Sequence, residues 1–320
     1  MLITSKTPEG TSIKLIFTSD EMLGYSRVRR GQGFSFKLPD GSFLKSREER
    51  KRILSLAVPP AYEKVWICMK PSGHLQATGI DDRGRKQYRY HPAWHEYAAD
   101  RKFGVLSSFA AMLPDIRKAY RKSLAEAELS RDRVIAGIVF LLDHTGYRIG
   151  NSQYEKENKS YGLSTLLTRH IFEHDERLKL RFRGKSGKHH EAEIENPALL
   201  KLISELQDLP GQHLFRYADD AGEYHDVGTD EVNQWIKDAS GGDFTAKQFR
   251  TWKATILCAQ MLKSEPPAET KTFRTQALNE AIKATAAQLN HTPATCRKYY
   301  IHPTLLRAYE DGSLYKIMNA

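Results

Sequence analysis

Cysteine is scarce in this sequence and is not arranged as a ligand set. Cys68, Cys258 and Cys296 are the three cysteines of a 320-residue chain, they lie far apart, and no C-x-x-C pair occurs. Zinc sites and disulfide frameworks both require cysteines at recognisable spacings. We therefore expect neither, and we expect each thiol to be buried as a small apolar side chain.

Long apolar runs are absent as well. No segment approaches the ~18 consecutive apolar residues that a membrane-spanning helix needs, and the first residues do not show a signal-peptide pattern. We expect a soluble protein without a membrane partner, located in the cytoplasm and associated with the nucleoid if the source is a bacterium.

Nucleotide and metal motifs are also missing. The segment 184–188, GKSGK, contains a Gly-Lys pair, but it lacks the G-x-x-x-x-G-K-[ST] spacing of a phosphate-binding loop. No cluster of carboxylates suggests a Mg²⁺ site. The sequence therefore predicts no cofactor and no metal.

Positive charge, by contrast, is abundant and unevenly distributed. The net charge is +10, and residues 1–90 contain 17 Lys and Arg against 9 Asp and Glu, a net charge of +8. Clustered cations release counterions from a phosphate backbone, so nucleic acid is the expected partner. An anionic membrane is less favoured, because these charges are interleaved with strand-like residues and do not follow an amphipathic helix.

The periodicity predicts an α+β protein with two domains. Residues 1–95 contain short alternating segments separated by turn residues, which indicates a small antiparallel β-rich domain. Residues 96–320 show mainly helical spacing, together with one clear β-hairpin at 178–194. Within this second domain we predict helices at 106–112, 116–127 and 131–144, and a loop at 210–228.

One candidate binding element is the segment 79–91, GIDDRGRKQYRYH. As a strand it would offer a cation and two tyrosines on one face and Gln87 on the other. A glutamine can bond adenine bidentately in the major groove, and the cations can contact phosphates. An ordinary basic hairpin is the alternative. The candidate contacts are Arg83, Arg85, Lys86, Gln87, Tyr88 and Tyr90.

A candidate catalytic element is the segment 291–300, HTPATCRKYY. Thr292 is a good N-cap and Pro293 suits the first helical position, so a short helix is expected to end at two adjacent tyrosines. The cationic neighbours of Tyr299 and Tyr300 suit a phenolate or a phosphate. A half-buried tyrosine on an ordinary amphipathic helix is the alternative.

Three further cations stand at positions that hold a side chain in a fixed place. Arg148 lies in a tight turn after a helix that Gly146 ends, and Lys185 lies on a glycine-flanked hairpin tip. Arg250 lies in the first turns of a helix capped by Thr245, where free N–H groups favour anions. Taken singly, each is equally explained as an ordinary surface side chain.

Taken together and in this order, these residues resemble the type IB DNA topoisomerases, in particular their poxvirus-like and bacterial branch. The resemblance extends from about residue 60 to residue 307. Its motifs are Q-A-T-G-x-D-x-x-G-R-K-Q-Y-R-Y-H (76–91), T-G-Y-R-I-G-N (145–151), K-E-N-x-S-Y-G-L-S-T-L (156–166), G-K-S-G-K-x-H-E (184–191), F-R-T-W (249–252) and H-T-P-A-x-C-R-K-Y-Y-I-H-P (291–303).

The resemblance implies a role for each matched residue. Tyr300 corresponds to the nucleophile that forms a 3′-phosphotyrosine, and Lys185 corresponds to the general acid for the 5′-oxygen. Arg148 and Arg250 correspond to the arginines that hold the phosphate, and His291 corresponds to a histidine that bonds a non-bridging oxygen.

The resemblance also implies the partner and the domain roles. Residues 1–95 would be a DNA clamp and residues 96–320 the catalytic domain of a monomer that acts on double-stranded DNA without ATP or metal. Tyr154 corresponds to a further DNA-contacting tyrosine. Two alternatives remain: a tyrosine recombinase, which exchanges strands between two DNA partners in a tetramer, and a non-catalytic DNA-binding protein on the same scaffold.

Overall fold

Short alternating segments form the strands of the first ninety residues. The computed structural model describes residues 2–6, 12–174, 177–264 and 270–318, and it divides into Met1–Gly104 and Val105–Ala320. The first unit contains β1 (Leu2–Lys6), β2 (Ser12–Ile16), β3 (Gly24–Arg30), β4 (Gly33–Lys37), α1 (Arg47–Ser55), β5 (Glu63–Cys68), β6 (Leu75–Ile80), β7 (Lys86–Tyr90) and α2 (Pro92–Gly104).

Five of these strands form one antiparallel sheet in the order β4-β3-β5-β6-β7, so that β7 lies at an edge. Strands β1 and β2 pair separately. Helix α2, which contains the predicted domain boundary near residue 95, packs Ala93 and Trp94 against Leu15 of β2. The buried core of the larger sheet consists of Tyr25, Phe36, Ile53, Val65, Ile67 and Ala77.

Strand β3, GYSRVRR, is not evident from the sequence because arginines interrupt its alternation. Its Tyr25 is buried in the sheet core. Its Arg27 donates hydrogen bonds to the carbonyl oxygens of Val58, Pro59 and Tyr62. Part of the basic charge of this unit therefore stabilises the fold itself.

The second unit is mainly helical, and the predicted α+β class is confirmed. Its elements are α3 (Leu106–Leu124), α4 (Arg131–Thr145), α5 (Ser152–Asn158), β8 (Ile171–His174), β9 (Arg177–Arg183), β10 (His189–Ile194), α6 (Pro197–Gln207), β11 (Arg216–Ala218), β12 (Tyr224–Asp226), α7 (Thr229–Ser240), α8 (Ala246–Ser264), α9 (Lys271–Gln288), α10 (Pro293–Tyr299), α11 (Pro303–Glu310) and α12 (Leu314–Met318). The predicted hairpin is β9–β10, and β8 adds a third antiparallel strand beside β9.

The prediction of two helices at 106–112 and 116–127 was wrong, because α3 runs without interruption through Pro114. An internal proline costs ~3 kcal/mol. Burying a large apolar side chain contributes roughly 1.5–3 kcal/mol, and α3 buries a complete stripe of them, which outweighs the proline. The central part of that stripe is Phe109, Leu113, Ile116 and Tyr120.

The prediction of a loop at 210–228 was also wrong. Strands β11 and β12 pair antiparallel within it, and Arg216 and Asp226 face each other with an ion pair of 2.9 Å. Strands of three residues are too short to show a period of two. The buried Leu214 and Phe215 precede β11, and the carbonyl of Phe215 accepts a hydrogen bond of 3.0 Å from the N–H of Val227, which follows β12.

Two apolar clusters hold the second unit together. The larger one surrounds α4, most of whose residues are buried. The smaller one joins helices α8 to α12, and Tyr300 packs against it. No helix in the described ranges combines the length and the apolar character needed to cross a membrane.

Candidate functional site

Two arginines and a histidine from three distant segments meet in the second unit. Arg148 follows α4, Arg250 lies in α8, and His291 lies between α9 and α10. Nε2 of His291 is 3.3 Å from Nη2 of Arg148, 3.1 Å from Nε of Arg250 and 2.5 Å from Nη2 of Arg250. Two guanidinium groups thus converge on one acceptor, which is the arrangement that recognises an oxyanion such as a phosphate.

Arg250 is held by the carboxyl ends of two helices. Its side chain donates to the carbonyl oxygen of Gly146 at 2.6 Å and to that of Leu289 at 2.5 Å. These residues are the C-caps of α4 and α9, where carbonyls have no partner within the helix and the helix dipole is negative. A buried arginine, only 4% exposed, is stabilised there.

The turn that carries Arg148 is fixed by glycines. Gly146 ends α4 in the left-handed conformation, with φ 64°. The carbonyl of Arg148 accepts a hydrogen bond of 2.9 Å from Leu163. A Cβ at Gly162 would lie 2.4 Å from Cα of Gly150, so position 162 does not tolerate a side chain, and Gly150 has a positive φ of 112°. This close approach explains the glycine of the motif at 156–166.

The cluster is strongly electropositive. Burial and the charge of Arg148 lower the pKa of Arg250 to about 10, although the charge of Tyr300 and its hydrogen bond act in the opposite direction. Two cations held this close repel each other. An anion bound between them would relieve that repulsion, so the site is prepared for negative charge.

Tyr300 faces this cluster. Its ring stacks on His291 with centroids 4.1 Å apart and an interplanar angle of 25°, and the guanidinium carbon of Arg250 is 5.5 Å from its ring centroid. The neighbouring Tyr299 is 43% exposed and lies beside Lys298. The two adjacent tyrosines therefore have different environments.

The sequence predicts that the short helix includes both tyrosines, but Tyr300 lies just outside it. Tyr299 is the last residue of α10, and Tyr300 follows as its C-cap with φ −132° and ψ −26°. This break in helical geometry directs the ring of Tyr300 toward His291. The predicted cap is confirmed at the other end, where the Thr292 hydroxyl accepts from the N–H of Thr295 at 3.2 Å.

Lys185 lies at the tip of the β9–β10 hairpin. The tip is closed by a hydrogen bond of 2.7 Å from the N–H of Gly184 to the carbonyl of Lys188, and Ser186 adopts a left-handed φ of 62°. The Lys185 side chain is exposed. His291 contacts Arg148, Arg250 and Tyr300, and Arg250 also lies near the Tyr300 ring, whereas Lys185 lies on the hairpin tip.

His190 in this hairpin and Asn290, which contacts it, were not predicted from the sequence. His190 is 3% exposed, and its Nδ1 is 3.1 Å from the side-chain nitrogen of Asn290, the residue that precedes His291. The sequence does contain a signal for the burial of His190. In β10, His190 has the same parity as Ala192 and Ile194, so it belongs to the inward face.

The candidate binding element of the first unit forms β7 and the turn before it. The rings of Tyr88 and Tyr90 stack with centroids 6.1 Å apart, and the Lys86 ammonium is 5.8 Å from the centroid of the Tyr88 ring. Tyr88 is 48% exposed. The alternation expected from the sequence is present, and it yields an exposed surface of aromatic and cationic groups.

Carboxylates form ion pairs or hydrogen bonds with several of the side chains that are candidate DNA contacts in this element. Arg85 pairs with Asp81 at 2.7 Å, and Lys86 pairs with Asp20 at 2.6 Å. The side-chain amide of Gln87 donates to Asp81 at 2.9 Å. The hydrogen bond from Arg85 holds the pKa of Asp81 at about 2. Bidentate contact of Gln87 with a base therefore requires it to leave Asp81.

The remaining candidates are less defined. Arg83 is exposed in the turn before β7. Tyr154 belongs to α5, and its side chain lies outside the described part of the structure. Where side chains are described, no group of three or more His, Cys, Asp and Glu residues is arranged to hold a metal ion.

Comparisons with known proteins agree with this geometry. A family model described as eukaryotic DNA topoisomerase I, catalytic core, matches residues 92–318, and one described as bacterial DNA topoisomerase IB, N-terminal domain, matches residues 33–81. DNA topoisomerase 1B of Acanthamoeba polyphaga mimivirus is 33% identical over 299 residues, 91% of this chain and 89% of that protein.

A more distant relative supports the same family, whereas the similarity to a solved recombinase structure is too weak to carry an argument. DNA topoisomerase I of Monkeypox virus is 24% identical over 265 residues, 81% of this chain and 79% of that protein. A crystal structure of the XerH site-specific recombinase bound to difH substrate has a TM-score of 0.39 at 13% identity, covering 62% of this chain and 52% of that one. A fold similarity this weak does not bear on function.

Proposed function

The chain belongs to the type IB DNA topoisomerases, and from that premise we propose that it relaxes supercoiled double-stranded DNA with Tyr300 as its nucleophile. One observation carries the proposal. Arg148 and Arg250 converge on Nε2 of His291, and the ring of Tyr300 stacks on that imidazole. An oxyanion site beside a phenol is what transfer of a phosphodiester to tyrosine requires.

In the cleavage step, the phenol oxygen of Tyr300 attacks the phosphorus of one DNA strand, and its proton leaves to solvent. The bond from phosphorus to the 5′-oxygen breaks, and a 3′-phosphotyrosine forms. Lys185 donates a proton to the departing 5′-oxygen. Because the phosphodiester is conserved in the covalent bond, the reverse reaction religates the strand without ATP. The free end rotates between the two steps and releases supercoils.

The positive cluster acts on the transition state. Negative charge grows on the two non-bridging oxygens as Tyr300 attacks, and fixed cations stabilise it without reorganisation. Nε2 of His291 accepts from both arginines in the free protein. A phosphate oxygen would take over those donors, and His291 must then carry a proton on Nε2 to donate to it.

The first unit would hold the DNA. Its edge strand exposes Tyr88 beside Lys86, and residues 1–90 have a net charge of +8. Residues 1–95 are thus assigned as the DNA clamp and residues 96–320 as the catalytic domain. The contacting members of the catalytic cluster all belong to one chain, which supports a monomer. We propose a cytoplasmic location, at the nucleoid if the source is a bacterium.

The experiment is relaxation of a supercoiled plasmid in EDTA without ATP, followed by trapping of the covalent adduct with denaturant. We expect relaxation of both supercoil signs and an adduct on the 3′-phosphate. Complete loss of activity in EDTA would contradict the metal-independent mechanism. A tyrosine recombinase would instead recombine two DNA partners as a tetramer and relax a single plasmid inefficiently.

A further inference from the structure

The hairpin that carries Lys185 is anchored by a buried histidine. His190 lies opposite Phe182 in the β9–β10 pair, and their rings stack with centroids 5.0 Å apart at 15°. The ring of Tyr147 meets His190 edge-on at 4.5 Å. The imidazole therefore fills the inner face of the hairpin, and its packing partner Tyr147 directly precedes Arg148.

Asn290 connects this histidine to the catalytic segment. Its side-chain nitrogen donates to the carbonyl of His189 at 2.8 Å and contacts Nδ1 of His190 at 3.1 Å. The carbonyl oxygen of His189 can only accept a hydrogen bond, so the Asn290 side-chain atom that contacts both His189 and His190 is the amide nitrogen. Nδ1 must then accept as well, and the proton of the neutral imidazole lies on Nε2. Asn290 itself has a left-handed φ of 53° and immediately precedes His291.

The same imidazole also supports the residue before Lys185. A Cβ built on Gly184 would lie 2.6 Å from Cδ2 and 2.7 Å from Nε2 of His190. The backbone of the tip thus rests directly on the ring, and only glycine allows this approach. A continuous series of contacts runs from His291 through Asn290 and His190 to Gly184 and Lys185.

We propose that His190 and Asn290 are positioning residues, which fix the Lys185 hairpin relative to the segment that carries His291. The proposal rests on the proposed function, in which Lys185 protonates the 5′-oxygen. Neither residue needs to touch DNA. Their contribution is the placement of an exposed lysine within reach of one particular leaving atom.

Single-turnover cleavage of two substrates tests this. One substrate has an ordinary phosphodiester, and the other has sulfur in place of the 5′-bridging oxygen, which leaves as a thiolate and needs no proton. A displacement of about 1 Å far from the chemistry can cost on the order of 10²-fold in rate. We expect Asn290→Gly and His190→Phe to slow cleavage of the phosphodiester by roughly 10- to 100-fold. Both should recover to near wild-type rates on the sulfur substrate.

The variants are chosen so that a folding defect is recognisable. Glycine suits the left-handed backbone at 290, so Asn290→Gly removes the amide without adding strain. His190→Asn retains an acceptor near the position of Nδ1 and should restore part of the rate lost in His190→Phe. His189→Ala, an exposed neighbour in the same strand, keeps its carbonyl and should behave as wild type. Thermal unfolding of each variant is measured in parallel.

The outcomes separate this inference from the proposed function. Adding Lys185→Ala to Asn290→Gly should cause no loss beyond that of Lys185→Ala alone, because both act on one proton transfer. Equal slowing on both substrates, or no slowing by either variant, would overturn the positioning role. If the wild type forms no covalent adduct, the proposed function itself is wrong. If adducts form but sulfur does not rescue Lys185→Ala, the acid role of Lys185 and the positioning role that rests on it both fail, while Tyr300 chemistry stands.

Discussion

Replacing each of the two arginines of the cluster should separate catalysis from stability. In the proposed mechanism Arg148→Ala and Arg250→Ala both remove a donor to the phosphate, and loss of one such donor costs on the order of 10²- to 10³-fold in cleavage rate. Their structural roles differ. Arg250 is buried and donates to the carbonyls of Gly146 and Leu289, whereas Arg148 is partly exposed and contacts His291 at 3.3 Å.

The stability difference follows from those carbonyls. Leaving a buried acceptor without a donor costs ~1–3 kcal/mol, so losing Arg250 should cost about 2–6 kcal/mol before any relief. Burial and the charge of Arg148 lower the pKa of the Arg250 guanidinium to about 10 and so disfavour its charged form, and removing that buried charge offsets part of the cost. We therefore expect about 2–3 kcal/mol and a decrease in Tm of roughly 5–10 °C for a unit of this size. Arg148→Ala should cost about 1 kcal/mol or less.

The assay combines single-turnover adduct formation with thermal unfolding of the same preparations. Arg250→Lys is the matched control, since it keeps a charge but cannot reach both carbonyls and the phosphate at once. It should recover less than a tenth of the lost cleavage rate. Near-normal cleavage by either alanine variant, or equal losses of stability in both, would refute this assignment of roles.

The remaining predictions concern charge. DNA affinity should fall steeply with salt, and Arg83→Ala should flatten the log–log slope by about 0.9; an unchanged slope in fluorescence anisotropy at several salt concentrations would remove Arg83 from the DNA contacts. The depressed pKa of Asp81, about 2 against an ordinary 3.8, stabilises the native state above pH 4, and this stability is lost as the pH falls toward 2. Asp81→Asn should abolish that part of the acid profile, which denaturant unfolding at each pH would show. Burial and the charges of Arg250 and Arg148 lower the pKa of His190 to about 4 from 6.5. Between these pH values the unfolded chain binds a proton that the native state does not, so the free energy of unfolding decreases as the pH is lowered from 6.5 to 4. His190→Phe should flatten this slope by up to about 1.4 kcal/mol per pH unit, and a slope equal to that of wild type would show that His190 is protonated in the native state.

Features fixed by neighbouring residues could be predicted from the sequence. The left-handed cap at Gly146, the capping of α10 by Thr292 and the β9–β10 hairpin all follow from local chemistry, and the structure contains each of them. The clustering of Arg148, Arg250 and His291 did not follow from the residues alone. It was anticipated only through the resemblance to a family, because no local rule joins positions that lie 41 to 143 residues apart.

Features fixed by tertiary packing were missed. Helix α3 continues through Pro114 because its buried apolar side chains pack on α4, and this packing stabilises the helix only in the folded state. Tyr300 leaves the helix to stack on His291, a contact that helical periodicity cannot predict. The contact between His190 and Asn290 likewise depends on two segments that meet only after folding.

The central claim is that Tyr300, and not Tyr299, attacks the DNA. Tyr300→Phe keeps the ring that stacks on His291 and removes only the hydroxyl, so it should bind DNA normally. The most direct measurement is denaturing gel electrophoresis of each tyrosine variant with DNA labelled on the 3′-phosphate side of the cut. We predict no covalent adduct with Tyr300→Phe and a near-normal adduct with Tyr299→Phe. An adduct that persists in Tyr300→Phe and disappears in Tyr299→Phe would contradict the account.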